Sequence, residues 1–93
     1  MATINLRRFH NRTLAEATHA VELAAQRVSQ QFSLKSTWST PHRLEFSRTG
    51  VSGSITIQEN EIEVNAELGF LLGALKTPIE QEIIRQLEEQ LLS

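Results

Sequence analysis

The residues of this chain whose types could do chemistry are three histidines, a row of glutamates, one glycine-flanked serine and a pair of glycines. His10, His19 and His42 are the imidazoles. No two of them have the i, i+4 spacing of a helical metal site, and the chain has no Asp or Cys to complete one. They read as surface histidines. Glu61, Glu63 and Glu67 fall on one face of an alternating strand, where paired carboxylates could exchange protons or hold a divalent cation. The same alternation describes a solvated sheet face, with Arg7 or Arg43 in reach across strands, and that is the preferred reading. An enzymatic role rests on this row alone. Gly50-Val51-Ser52-Gly53 lacks the G-x-S-x-G spacing and leads into a strand, so Ser52 reads as a turn and polar-face residue. Gly69 and Gly73 flank an apolar segment without the lysine of a phosphate-binding loop. No catalytic residue, metal ligand or cofactor is assigned, and the expectation is a protein that is not an enzyme.

The apolar segment is the feature with functional content. Phe70, Leu71, Leu72, Ala74 and Leu75 place five apolar residues in six positions. Some must close the core where the last strand hands over to a helix, because a small core needs its large side chains. Those left outside would form a hydrophobic contact surface. Trp38, beside Pro41, has the same two readings, core lid or interfacial anchor. The candidate contact residues are therefore Phe70, Leu71, Leu72, Leu75 and Trp38.

The elements that position them follow from periodicity. Residues 3–7 read as a strand with Ile4 and Leu6 on one face. Thr13 with Glu16 three residues on is a capping box, opening a helix over residues 14–32. Its stripe is Leu14, Ala17, Val21, Ala24, Val28 and Phe32. Strands follow over residues 34–39, 44–48, 51–58 and 61–68, divided by Pro41, Thr49-Gly50 and Glu59-Asn60. Two-residue connections force antiparallel neighbours with one apolar and one polar face. Gly53 sits on the apolar side of its strand, which suggests a bulge or the close approach of a helix. Thr77-Pro78-Ile79-Glu80 predicts a second capping box, opening a helix with the stripe Ile79, Ile83, Leu87 and Leu91. The fold class is α+β: a two-layer domain over residues 1–93, an antiparallel meander with two helices on one face, in the order β-α-β-β-β-β-α.

Composition bounds the function. Ninety-three residues make one small domain. Without cysteine there are no disulfides or thiolate sites. No 18-residue apolar run spans a membrane, and the first residues have no apolar signal region. All eleven acids are Glu, and net charge is −2. Residues 1–58 carry seven Lys/Arg against three Glu, and residues 59–93 carry two against eight. A mild surface dipole accounts for this. The sharper alternative is an acidic partner on Arg7, Arg8, Arg12 and Arg27. Nucleic acid is excluded by the acidic pI of 5.9 and the lack of any reader motif. A second copy of the chain is a candidate partner through strand edges or the polar face.

Three segments carry a family resemblance: Phe46-Ser47-Arg48-Thr49-Gly50-Val51-Ser52-Gly53, Glu67-Leu68-Gly69-Phe70-Leu71-Leu72 with Lys76, and Ile79-Glu80 with Glu82-Ile83. They resemble the small bacterial polyhydroxyalkanoic acid system proteins, encoded in regions concerned with polyhydroxyalkanoate granules. The resemblance covers nearly the whole chain and departs at Thr77-Pro78, where a Gly-Lys or similar pair is common. It implies a cytoplasmic bacterial protein linked by gene context to polyester storage; together with the apolar segment, the expectation is a granule-associated accessory protein that binds the polyester surface or a granule protein. The resemblance implies no activity and no catalytic residue. The alternative is a small-ligand module, with an acyl-sized pocket between sheet and helices lined by Leu44, Phe46, Ile55, Ile57 and Val64.

Overall fold

The chain forms β1 (Ala2–Phe9), α1 (Leu14–Phe32), β2 (Lys35–Thr40), β3 (Arg43–Arg48), β4 (Val51–Ile57), β5 (Glu61–Leu68), a 3-10 segment (Phe70–Leu75) and α2 (Lys76–Leu92). The computed structural model describes residues 2–92, apart from the side chains of Leu71 and Leu92. Among the described residues the strands make one antiparallel sheet in the order β1-β5-β4-β3-β2. This is the expected α+β arrangement, β-α-β-β-β-β-α. The return of β5 to the side of β1 buries the two longest strands against each other.

Alternation decides which side chains meet the helices. Ile4 pairs with Ala66, Leu44 with Ile55, Ile55 with Val64, and Ile57 with Ile62. All are buried, and they face Ala17, Ala20, Val21, Ala24 and Val28 of α1 and Ile79, Ile83, Leu87 and Leu91 of α2. Alanines dominate the α1 stripe, so its backbone lies close to the sheet and to α2. Burying each large aliphatic side chain contributes about 1.5–3 kcal/mol.

The start of α1 is the expected capping box. The Glu16 N–H donates to Thr13 Oγ1 at 3.1 Å, and the Thr13 N–H donates to Glu16 Oε1 at 3.1 Å. The helix ends at Ser33, in the left-handed region at φ 57°, with its N–H returned to the Ser29 carbonyl. Arg48 Nη1 donates to the Phe32 carbonyl at 2.9 Å, satisfying a terminal acceptor of the same helix.

Two local expectations are corrected. The capping box at Thr77 and Glu80 does not form, because α2 begins at Lys76, directly out of the 3-10 segment. The coil starts at Gly69, and the Lys76 N–H already donates to the Gly73 carbonyl. Thr77 is thus flanked by coiled residues on both sides and has no open first turn to cap. Pro78, which cannot donate, still falls in the first turn of the α-helical part, where its missing N–H costs least. At Gly53 neither a bulge nor a helix is involved: β4 keeps continuous register with both neighbours. The Phe46 ring of the facing β3 residue covers the glycine instead. A Cβ built there would lie 2.5 Å from Phe46 Cζ and 2.7 Å from the Asn65 carbonyl oxygen.

Candidate functional site

The sheet has one covered and one open face. Register places Lys35, Ser47, Ser52, Glu67 and Thr3 in one row across the open face. Thr37, Glu45, Ser54, Asn65 and Asn5 form the next. These residues line a shallow open trough of about 840 Å³. Its centre holds short hydroxyl and amide side chains, and charges sit toward its margins.

Ion pairing absorbs much of the glutamate row. Arg7 lies 3.4 Å from Glu61 and 3.2 Å from Glu63, and Glu63 also accepts from Asn65 Nδ2 at 3.0 Å. Arg7 is the cross-strand partner expected from sequence; Arg43 reaches Glu45 on its own strand, at 4.0 Å. Glu67 stands apart at the other end of β5, so the three carboxylates do not converge. Two more arginines of the basic cluster, Arg8 and Arg12, are also engaged internally, and Arg27 is exposed. Arg8 reaches Glu88 of α2 at 3.2 Å, and Arg12 donates through Nε and Nη2 to the Leu91 carbonyl at 3.0 and 2.7 Å. These contacts tie the β1–α1 connection to the end of α2, where the helix dipole favours a cation.

His10 is built into the same connection. Its ring hydrogen-bonds the Gln58 carbonyl at 3.0 Å and accepts from the Arg12 N–H at 3.2 Å. His19 and His42 are exposed. Ser52 is exposed on β4 beside Ser47 and Glu67, with no imidazole in its row. Among the described residues, no group of three His or Glu side chains is arranged to hold a metal ion.

The apolar candidates separate cleanly. Phe70 is 84 % exposed. Leu72 and Leu75, two and five residues further along the 3-10 segment, are half-buried and packed on the core. Leu72 also lies over Gly50, close enough that a Cβ on that glycine would come within 2.7 Å of its Cδ1. Trp38 is half-buried on the helix side of edge strand β2 and packs against the core. The Leu71 side chain lies outside the described residues. Among the described side chains of this segment, Phe70 and the small Ala74 are the exposed ones.

Sequence reasoning missed Phe9, which is 79 % exposed at the end of β1. The signal was available: carrying the alternation of Thr3, Asn5 and Arg7 two residues further puts Phe9 on the polar face. Among the described residues, no acyl-sized space is seen where the pocket was expected. The space between the helices and the sheet bounded by Ala24, Val28, Leu34, Phe46, Ile55 and Leu87 amounts to about 10 Å³. That is at most room for one water and none for an acyl chain.

These features define a small two-layer α+β domain with a filled core, an open polar sheet face and one exposed aromatic on a helical corner. No helix among the described residues is long and apolar enough to cross a membrane. A family model described as Putative polyhydroxyalkanoic acid system protein matches residues 4–91. The chain belongs to that family. No curated protein and no solved structure matches it.

Proposed function

We propose that this chain is a non-catalytic accessory protein of the polyester storage system, acting in the cytoplasm at the granule and touching the polyester surface through the corner at Phe70. The observation that carries the reading is the 84 % exposure of Phe70 on a segment whose Leu72 and Leu75 are packed against the core. Membership of a polyhydroxyalkanoic acid system family supports the setting. The filled interior and the paired glutamates favour a surface role over a small-ligand or hydrolytic one.

Magnitude limits the form of this contact. One phenylalanine side chain contributes about 1.5–3 kcal/mol when buried. Attachment through Phe70 is accordingly reversible and weak in a single copy. The test is co-sedimentation of the purified chain with isolated granules, and with the same granules stripped of protein by protease. Phe70→Ser should reduce the pelleted fraction several-fold on both, with an unchanged melting temperature. Binding lost on stripping would assign the contact to a granule protein instead. Equal pelleting of wild type and Phe70→Ser would overturn the role of this corner. An ester-hydrolysis assay on hydroxyalkanoate oligomers, with Glu63→Gln as control, should show no turnover above background.

A further inference from the structure

We propose that β1 is a pairing edge for β1 of a second copy of this chain, joining two sheets into one. The two edges of the sheet differ in how they are protected. β2 is six residues long, carries Lys35, has a register irregularity between Trp38 and Thr40, and runs into Pro41. Each is a known device against edge-to-edge pairing. β1 has no lysine, proline or bulge, and its two charges are held within the chain, Arg7 on Glu61 and Glu63 and Arg8 on Glu88. It is eight residues long with unbroken register from Ala2 opposite Leu68 to Phe9 opposite Glu61.

The hydrogen-bond phase shows which groups are free. The His10 N–H donates to the Asn60 carbonyl at 3.0 Å, so even-numbered residues of β1 exchange bonds with β5. The N–H and C=O groups of Thr3, Asn5 and Arg7 consequently point away from the sheet. These groups form a regular ladder without a strand opposite them among the described residues.

The sequence of β1 is self-complementary in one antiparallel register, with the two-fold axis at Leu6. Thr3 then exchanges bonds with Phe9 of the other copy, and Asn5 with Arg7. On the helix side Leu6 meets its own counterpart in a non-hydrogen-bonded pair, where side chains approach closest. Leu6 is half-buried in the single chain and gains cover there. Phe9, otherwise 79 % exposed, gains a neighbouring strand. No arginine faces an arginine: Arg8 meets Ile4, and its guanidinium stays on Glu88. An axis at Arg7 would set like charges opposite each other, and an axis at Asn5 would leave Phe9 without a described partner. The contact is isologous and closes on itself, so it yields a dimer and not a filament.

Light scattering after size exclusion on the intact chain tests this. The expected mass is twice the 10.5 kDa of the chain. Asn5→Pro removes an outward N–H and no bond to β5, a place where an edge strand tolerates proline. It should give the single-chain mass with an unchanged circular dichroism spectrum. Ser36→Pro, the equivalent change on β2, should remain dimeric. Leu6→Cys introduces the sole cysteine, and the Cα separation of a non-hydrogen-bonded pair is within disulfide range. It should cross-link on mild oxidation. A wild-type chain at single mass overturns the proposal, and would leave the edge to a strand of another protein. A dimer in which Leu6→Cys fails to cross-link also overturns it, whether or not Asn5→Pro folds. None of these readouts involves granules, so the outcome stands apart from the role of Phe70.

Discussion

Gly53 and Gln86 are the two positions where a single side chain sets the local energetics. At Gly53 the Phe46 ring occupies the place of a Cβ, and the Asn65 carbonyl oxygen, 2.7 Å from that place, is backbone and cannot swing aside. Gly53→Ala should therefore destabilise the fold by about 1–3 kcal/mol, as overpacked cores do. A urea titration would show the midpoint fall with little change in slope. Gln86 is the opposite case. It is 3 % exposed, its Nε2 donates to Glu82 Oε1 at 2.8 Å, and its own Oε1 has no partner among the described residues. A buried acceptor without a donor is costly, whereas an apolar side chain of similar volume is not. Gln86→Met should raise stability by about 1 kcal/mol. A lower midpoint would mean that the bond to Glu82 outweighs the unsatisfied oxygen.

At the scale of elements, the entry to α1 is the most strongly specified junction. Thr13→Ala removes the side chain that accepts from the Glu16 N–H, and should cost about 1 kcal/mol. The Glu16 carboxyl is held below its ordinary range, first by the Thr13 backbone N–H and then by the Thr13 hydroxyl. A carboxyl whose folded pKa is lowered adds stability above its unfolded value of 4.5, and that stability is lost as pH falls through the folded value. Wild type should therefore lose stability more steeply on acidification below 4.5 than Glu16→Gln does, measured as melting temperature against pH. The entry to α2 works differently. No side chain caps it, and the 3-10 segment anchored by Leu72 and Leu75 supplies the preceding turn. The two helices thus start by different means, one by local hydrogen bonds and the other by burial.

For the whole molecule, the useful contrast is between a closed and an open side. Among the described residues the helix side is closely packed, with about 10 Å³ between α1, α2 and the sheet, and the other side is a polar trough with no helix over it. The exposed large apolar side chains lie at the periphery: Phe70 past one end of β5, and Phe9 on the β1 edge at the other. A dimer through β1 would carry two Phe70 corners, and two weak apolar contacts on one particle bind more tightly than either alone wherever both can reach the surface. Asn5→Pro should then lower granule pelleting below that of the dimer, in the same co-sedimentation assay. Much of this was legible in the sequence. Strand alternation, two-residue turns and the Thr13-to-Glu16 spacing determine the element order, the α+β class and the core stripes, because each is a short-range pattern imposed by backbone geometry. The chain also carries its family in the segments around Gly50 and Phe70. The tertiary structure alone decided the rest. Burial of Leu72 and Leu75 but not Phe70 depends on how the 3-10 segment lies on β5 and α2. The covering of Gly53 by Phe46, the loss of the Thr77 cap and the exposure of the β1 edge likewise depend on contacts between segments far apart in the chain, which no local pattern encodes.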